Sequence, residues 1–191
     1  MACADYVLSK TPGATVSNLS STRALRDVTQ KHGQKYTASA VGEVNVVTAM
    51  KAENAVIGGE GNGGIIYPES HYGRDALVGV ALFLMLLAEK KTTASALRET
   101  YPAYFMRKDK ISLTEDINVD AILTAMATLY KEEEVNTTDG VKIDFEHHWV
   151  HLRKSNTEPI IRIYTEATSL DLATSVADAM MQQILDLSKK V

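Results

Sequence analysis

Seven consecutive residues, Arg153-Lys154-Ser155-Asn156-Thr157-Glu158-Pro159, bring together a guanidinium, hydroxyls, a carboxamide and a proline. Alternating apolar residues flank them, Trp149, Val150 and Leu152 before and Ile160, Ile161 and Ile163 after, so the segment reads as a tight loop between two strands. Such a loop turns backbone N–H groups toward one point. Ser155 and Thr157 add hydroxyl donors, Asn156 tolerates an unusual backbone angle, and Arg153 offers a planar fork. The ligand with matching chemistry is a phosphate, to which Arg162 adds a second charge. An ordinary hairpin turn with a solvated arginine would use the same residue types. A second candidate is the glycine-rich stretch Gly58 to Gly64, GGEGNGG. Its glycines let the backbone approach a ligand closely, and the Glu60 carboxylate can accept from two vicinal sugar hydroxyls. Glycine also serves bare hairpin tips. The stretch lacks the trailing Lys-Ser/Thr of a nucleotide phosphate loop. His147, His148 and His151 lie close together, but no Cys, Asp or Glu completes a recognisable metal-ligand set, so no metal site is expected.

The run RKSNTEPIIRIYTEA from Arg153 resembles the phosphate-binding loop of the α-D-phosphohexomutases, R-P-S-G/N-T-E-P followed by an alternating strand with an Arg. The stretch at 58–64 stands where that family has its sugar-binding G-E-x-S-G-H loop. Glu60 matches, Asn62 replaces the usual Ser, and Gly64 stands where many members have His. With GRDA at Gly73 to Ala76 between the two motifs, the resemblance covers nearly the whole chain. It implies two of the family's four domains: the third over 1–99, begun inside the domain, and the fourth over 107–191. The missing N-terminal domains would carry the phosphorylated serine and the aspartate-rich loop that holds Mg2+. The implied enzyme is an isomerase, a phosphoglucosamine mutase or phosphomannomutase. It moves phosphate between the 1- and 6-hydroxyls of a hexose through a hexose 1,6-bisphosphate. Glu60 and Asn62 would grip the 3- and 4-hydroxyls, while Arg153, Ser155, Asn156, Thr157 and Arg162 would hold the phosphate that is not reacting. No catalytic residue is expected in this chain, which by itself should bind hexose phosphate without turnover. The departures at 62 and 64 resemble the branch with phosphoglucosamine or phosphomannose substrates, of which glucosamine phosphate is the preferred expectation. The family's basic residue near Val41-Gly42-Glu43 has no evident counterpart, which leaves the third-domain phosphate contact open. A stand-alone phosphosugar-binding or interaction module is the other reading.

The elements that must position these residues follow from periodicity and caps. A helix over Met1 to Lys10 opens the chain, which fits a start inside a longer protein. Strands at Ala14 to Leu19, Lys35 to Ser39 and Ala55 to Ile57 alternate with two helices. The first is capped by Ser20 or Ser21 and closed by Gly33, and the second runs from Glu43 to Glu53. Crossovers of this length imply a Rossmann-like α/β domain, a mixed sheet with helices, in which Ile65 to Tyr67 returns beside the third strand. Asp75 should cap Ala76 to Lys90, whose all-round apolar surface predicts burial. Residues 100–106 read as the link. Beyond it come a strand over Tyr104 to Leu113, a helix over Val119 to Glu132, strands from Val141 and Trp149, and a last helix opened by Thr168 and Asp171. That second domain reads as a smaller α+β unit, an antiparallel sheet backed by two helices.

Composition excludes other classes. In 191 residues, 45% are hydrophobic and 23% charged, as in an ordinary globular chain. A net charge of -4 without a Lys/Arg cluster argues against a nucleic-acid partner. The longest apolar run is far short of the roughly 20 residues that span a bilayer, so no membrane is expected. One cysteine, Cys3, and the absence of a signal-like start point to the cytoplasm.

Overall fold

The computed structural model describes residues 1–114, 117–155 and 160–189. Two compact units divide the chain, Met1–Pro102 and Ala103–Val191. The first holds helices α1 (Ala2–Lys10), α2 (Ala24–Lys31), α3 (Glu43–Glu53), α4 (Ala76–Lys90) and α5 (Ala94–Glu99). Its strands are β1 (Thr15–Asn18), β2 (Tyr36–Ser39), β3 (Ile57–Gly59), β4 (Ile65–Tyr67) and β5 (His71–Arg74). They lie in the order β2-β1-β3-β4-β5. Helical crossovers make β2, β1 and β3 parallel, and hairpins make β4 and β5 antiparallel, which is the expected mixed sheet. One core cluster joins Tyr6, Val7, Leu25, Ile57, Leu82 and Leu86. A second sets Val46 and Met50 of α3 against Val16 and Ile66.

Several local expectations shift. The third strand begins at Ile57, not Ala55, and β5 was not anticipated. Neither Ser20 nor Ser21 caps α2: Arg23 holds the cap position without a side-chain bond, because Ser21 Oγ donates to Asn18 Oδ1 (2.9 Å) instead. Asp75 does cap α4, its Oδ1 accepting from the N–H of Leu77 (2.8 Å) and Val78 (3.0 Å). Burial of α4 on all sides is not what is seen. Gly79, Leu82 and Leu86 face the core, while Leu77 is 81% exposed and Val80, Leu84 and Met85 are each more than half exposed. The sheet and α1 cover one side of the helix, and an all-round apolar helix is buried throughout only when a second layer covers the other.

The second unit contains β6 (Phe105–Ser112), α6 (Val119–Leu129), β7 (Glu134–Asn136), β8 (Val141–Asp144), β9 (His148–Lys154), β10 (Ile160–Ala167) and α7 (Leu170–Ser188). Its sheet is antiparallel throughout, in the order β6-β10-β9-β8-β7. Ile122, Leu123 and Met126 of α6 and Met180 and Ile184 of α7 pack on one face, against Ile143, Val150, Leu152, Ile161 and Ile163. That is the expected α+β arrangement. Helix α6 stops at Leu129, which is exposed, short of the expected Glu132, and Glu134–Asn136 form β7 by pairing with β8. Ser169, not Thr168, caps α7, accepting from the Leu172 N–H (3.2 Å). Among the described residues no helix is long and apolar enough to cross a membrane.

Candidate functional site

Strands β1 and β3 run parallel and end side by side at Asn18 and Gly59, and ligands of open α/β sheets bind beyond the carboxyl ends of such strands. Glu60 stands at that place. The loop from β3 to β4 closes through Glu60 N–H to the Gly64 carbonyl (3.0 Å) and Gly63 N–H to the Glu60 carbonyl (3.1 Å). A Cβ at Gly59 would run into the Gly64 carbonyl oxygen, so the turn needs glycine there. The Glu60 side chain is 8% exposed, and both its oxygens are engaged. Oε1 accepts from Asn18 Nδ2 (3.0 Å) and Oε2 from Arg74 Nη1 (3.3 Å). Asn18 is itself held, its Oδ1 accepting from Ser20 N–H (3.1 Å) and from Ser21 Oγ. Arg74 also reaches Glu43 at the start of α3: Nε donates to Oε2 (2.8 Å) and the backbone N–H to Oε1 (3.0 Å). The bonds from the Arg74 backbone and then its side chain hold the Glu43 carboxyl below the usual carboxylate range.

A carboxylate offers about four acceptor positions, so the fixed Glu60 keeps capacity for ligand hydroxyls. Beside it lies a cavity of about 210 Å³ lined by Ser17, Ser21, Thr22, Leu25 and Ile57 among others. Asn62 is placed differently from Glu60. It sits on the exposed tip, and its Oδ1 accepts from Gly64 N–H (3.1 Å), closing a turn within the loop. Asn18, Glu43 and Arg74 were missed from the sequence. Their signals were slight: an Asn ending a strand, and an Arg immediately before a helix cap.

In the second unit, Ser155 N–H bonds the Ile160 carbonyl (3.0 Å) and closes the base of the β9–β10 loop. Asn156 and Thr157, assigned to phosphate, lie outside the described residues. Register sets Arg153 opposite Arg162, and Arg162 opposite Lys110. Three cations thus stand in one row across β9, β10 and β6. Like charges directly opposite on neighbouring strands destabilise a sheet, so the row has a cost that a bound anion would offset. Arg153 is partly compensated: its Nε lies 2.9 Å from Asp139 Oδ2, an ion pair not aligned as a hydrogen bond. Arg162 is exposed, and neither it nor Lys110 has an ion pair among the described residues. They line a shallow depression of about 550 Å³ with Lys108, Ile160 and Tyr164, and the Lys108 ammonium sits 5.2 Å from the Tyr164 ring centre. On the same face, buried His151 points Nε2 at the Asp139 carbonyl (2.7 Å). Burial pushes the His151 pKa down to about 4. His148 stacks on Phe145 with ring centres 4.3 Å apart, and exposed His147 lies beside Glu146. No three or more His, Cys, Asp or Glu among the described residues are grouped to hold a metal ion.

Residues 1–104 match the family model for the phosphoglucomutase/phosphomannomutase alpha/beta/alpha domain III, and residues 107–183 match the model for the C-terminal domain. The chain belongs to the phosphoglucomutase/phosphomannomutase family. Within that family, it is 36% identical over 173 residues to the phosphoglucomutase/phosphomannomutase of Thermococcus kodakarensis, an alignment covering 89% of this chain and 38% of that protein. The phosphoglucosamine/phosphogalactosamine mutase of Sulfurisphaera tokodaii is 34% identical over 86% of this chain and 37% of its own length. A phosphoglucomutase/phosphomannomutase family protein from Burkholderia thailandensis superposes with a TM-score of 0.79 at 26% identity, over 97% of this chain and 40% of the other. This family member therefore spans about two fifths of the length of the relatives it matches.

Proposed function

We propose that this chain is the sugar- and phosphate-holding part of a phosphohexomutase, comprising its third and fourth domains. The whole cytoplasmic enzyme moves phosphate between the 1- and 6-hydroxyls of a hexose by way of the 1,6-bisphosphate. Glucosamine phosphate is the favoured substrate, in keeping with the name of the Sulfurisphaera tokodaii relative. The observation that carries the reading is Glu60, a nearly buried carboxylate held by Asn18 and Arg74 beyond the carboxyl ends of the parallel strands β1 and β3, with acceptor capacity left for vicinal hydroxyls. The row Arg153, Arg162 and Lys110 supports the second half, because three neighbouring cations beside a loop of small polar residues suit a phosphate. Ser155, Asn156 and Thr157 complete that anchor, and Asn62 supplements Glu60. Holding the unreactive phosphate and the sugar ring fixes the reacting hydroxyl in place, and positioning is most of what a protein adds to phosphoryl transfer.

Magnesium, when bound, neutralises charge on a transferring phosphoryl group. In this reading the ion and the nucleophile belong to the other domains of the enzyme. This chain binds hexose phosphate and does not turn it over. Amide NMR titration tests the reading. Inorganic phosphate should shift residues 153–162, and Arg153→Ala should weaken that binding about tenfold. Glucosamine 6-phosphate should also shift residues 58–64, more than mannose 6-phosphate does. Well-dispersed spectra with no change at either loop, or unaltered phosphate affinity in Arg153→Ala, would reject the proposal.

A further inference from the structure

We infer that Arg74 is a positioning residue for the Glu60 carboxylate and occupies the space that a side chain at position 64 would take. The inference rests on the sugar-binding reading of Glu60. A Cβ at Gly64 would lie 2.5 Å from Arg74 Cδ and 3.0 Å from its Cγ, so a side chain there and the Arg74 stem exclude each other. Pairing of β5 with β4 sets Arg74 opposite Ile66, next to the outgoing limb of the glycine loop. From there its guanidinium reaches both carboxylates. Nε holds Glu43 at 2.8 Å and Nη1 holds Glu60 at 3.3 Å, while the Arg74 backbone N–H makes a second bond to Glu43.

A guanidinium is a rigid plane, so fixing its Nε edge on Glu43 also fixes the direction of Nη1. Asn18 secures one oxygen of Glu60 from the other side. Together they leave the carboxylate one orientation, and the acceptor positions not facing Asn18 or Arg74 are those offered to a hexose. The exposures fit this division, since the Arg74 side chain is 45% exposed and the Glu60 side chain only 8%. Gly64 is therefore the counterpart of Arg74, and a family position that often carries histidine is empty because an arginine from β5 fills it.

The test measures affinity of this chain for glucosamine 6-phosphate and for inorganic phosphate, with thermal unfolding alongside. Arg74→Ala should weaken glucosamine 6-phosphate about tenfold and leave inorganic phosphate unchanged. In a Glu60→Gln background the same replacement should cost less than about twofold, because the carboxylate it aims is gone. Arg74→Lys should recover little, since one ammonium cannot bridge Glu43 and Glu60 as a fork does. Gly64→Ala should displace the Arg74 stem and reproduce most of the loss, with no added effect when combined with Arg74→Ala. If Arg74→Ala unfolds the first unit, Gly64→Ala carries the test alone. Sugar affinity unchanged in Arg74→Ala but lost in Glu60→Gln would overturn the positioning role and leave the sugar reading standing. Equal losses from Arg74→Ala in both backgrounds would also overturn it. Unchanged sugar affinity in Glu60→Gln would overturn the sugar reading itself.

Discussion

Replacing His151 with glutamine should flatten the acid dependence of the second unit's stability. His151 is 1% exposed, and its Nε2 lies 2.7 Å from the Asp139 carbonyl. A carbonyl only accepts, so Nε2 donates and the neutral ring carries no proton on Nδ1. Burial is the main force that pushes its pKa from 6.5 down to about 4. The Asp139 carbonyl bond opposes it, and the Lys142 charge adds to it. The folded state therefore binds fewer protons than the unfolded state between those values. This contribution to stability is complete above about pH 6.5 and is lost as pH falls toward the folded value. For those two pKa values the loss is about 2 kcal/mol by roughly pH 5 and about 3 kcal/mol by roughly pH 4. Glutamine keeps an amide donor for the Asp139 carbonyl but does not titrate. The chain has one tryptophan, Trp149, buried in the same sheet, so its fluorescence during urea unfolding reports on this unit. Wild type should lose about 3 kcal/mol more than His151→Gln on going from neutral to about pH 4. Equal losses, or a His151 imidazole that titrates near its ordinary value by NMR, would refute the reasoning.

Two further outcomes follow from packing. Leu82→Ala should cost about 2–5 kcal/mol in thermal or urea unfolding, whereas Leu84→Ser, on the exposed face of the same helix, should stay within about 0.5 kcal/mol. Equal costs would mean that α4 is covered on both sides. Trp149→Phe removes a buried bond from Nε1 to Glu166 Oε1 (2.7 Å) and should cost about 1.5–3 kcal/mol by denaturant titration, with circular dichroism as the probe.

Much of the framework was legible because it is written locally. The spans Glu43–Glu53 and Ala76–Lys90 followed from periodicity and flanking signals, and Asp75 announced its own cap. The two-part fold followed from the same signals, with long crossovers in the first half and strand alternation in the second. Errors arose where a local preference met a competing partner. Ser21 suits a helix cap, but Asn18 claims its hydroxyl. The helix expected to reach Glu132 stops at Leu129, and the residues from Glu134 take a ladder with β8 instead. The exposed side of α4 was illegible for another reason: composition states that a helix can be buried, not how many layers cover it.

The two candidate loops are visible as local residue patterns. A carboxylate among glycines and an arginine before small polar residues are contiguous, and their residue types limit what they can bind. How Glu60 and Arg153 are held depends on residues distant in the chain. Asn18 stands 42 positions from Glu60 and Glu43 stands 31 from Arg74, and strand pairing and helical crossovers bring them within hydrogen-bonding distance. Likewise, Arg153, Arg162 and Lys110 become one row only through the register of three antiparallel strands. Register and sheet order depend on burying whole faces at once, a property of the packed chain that no single segment encodes.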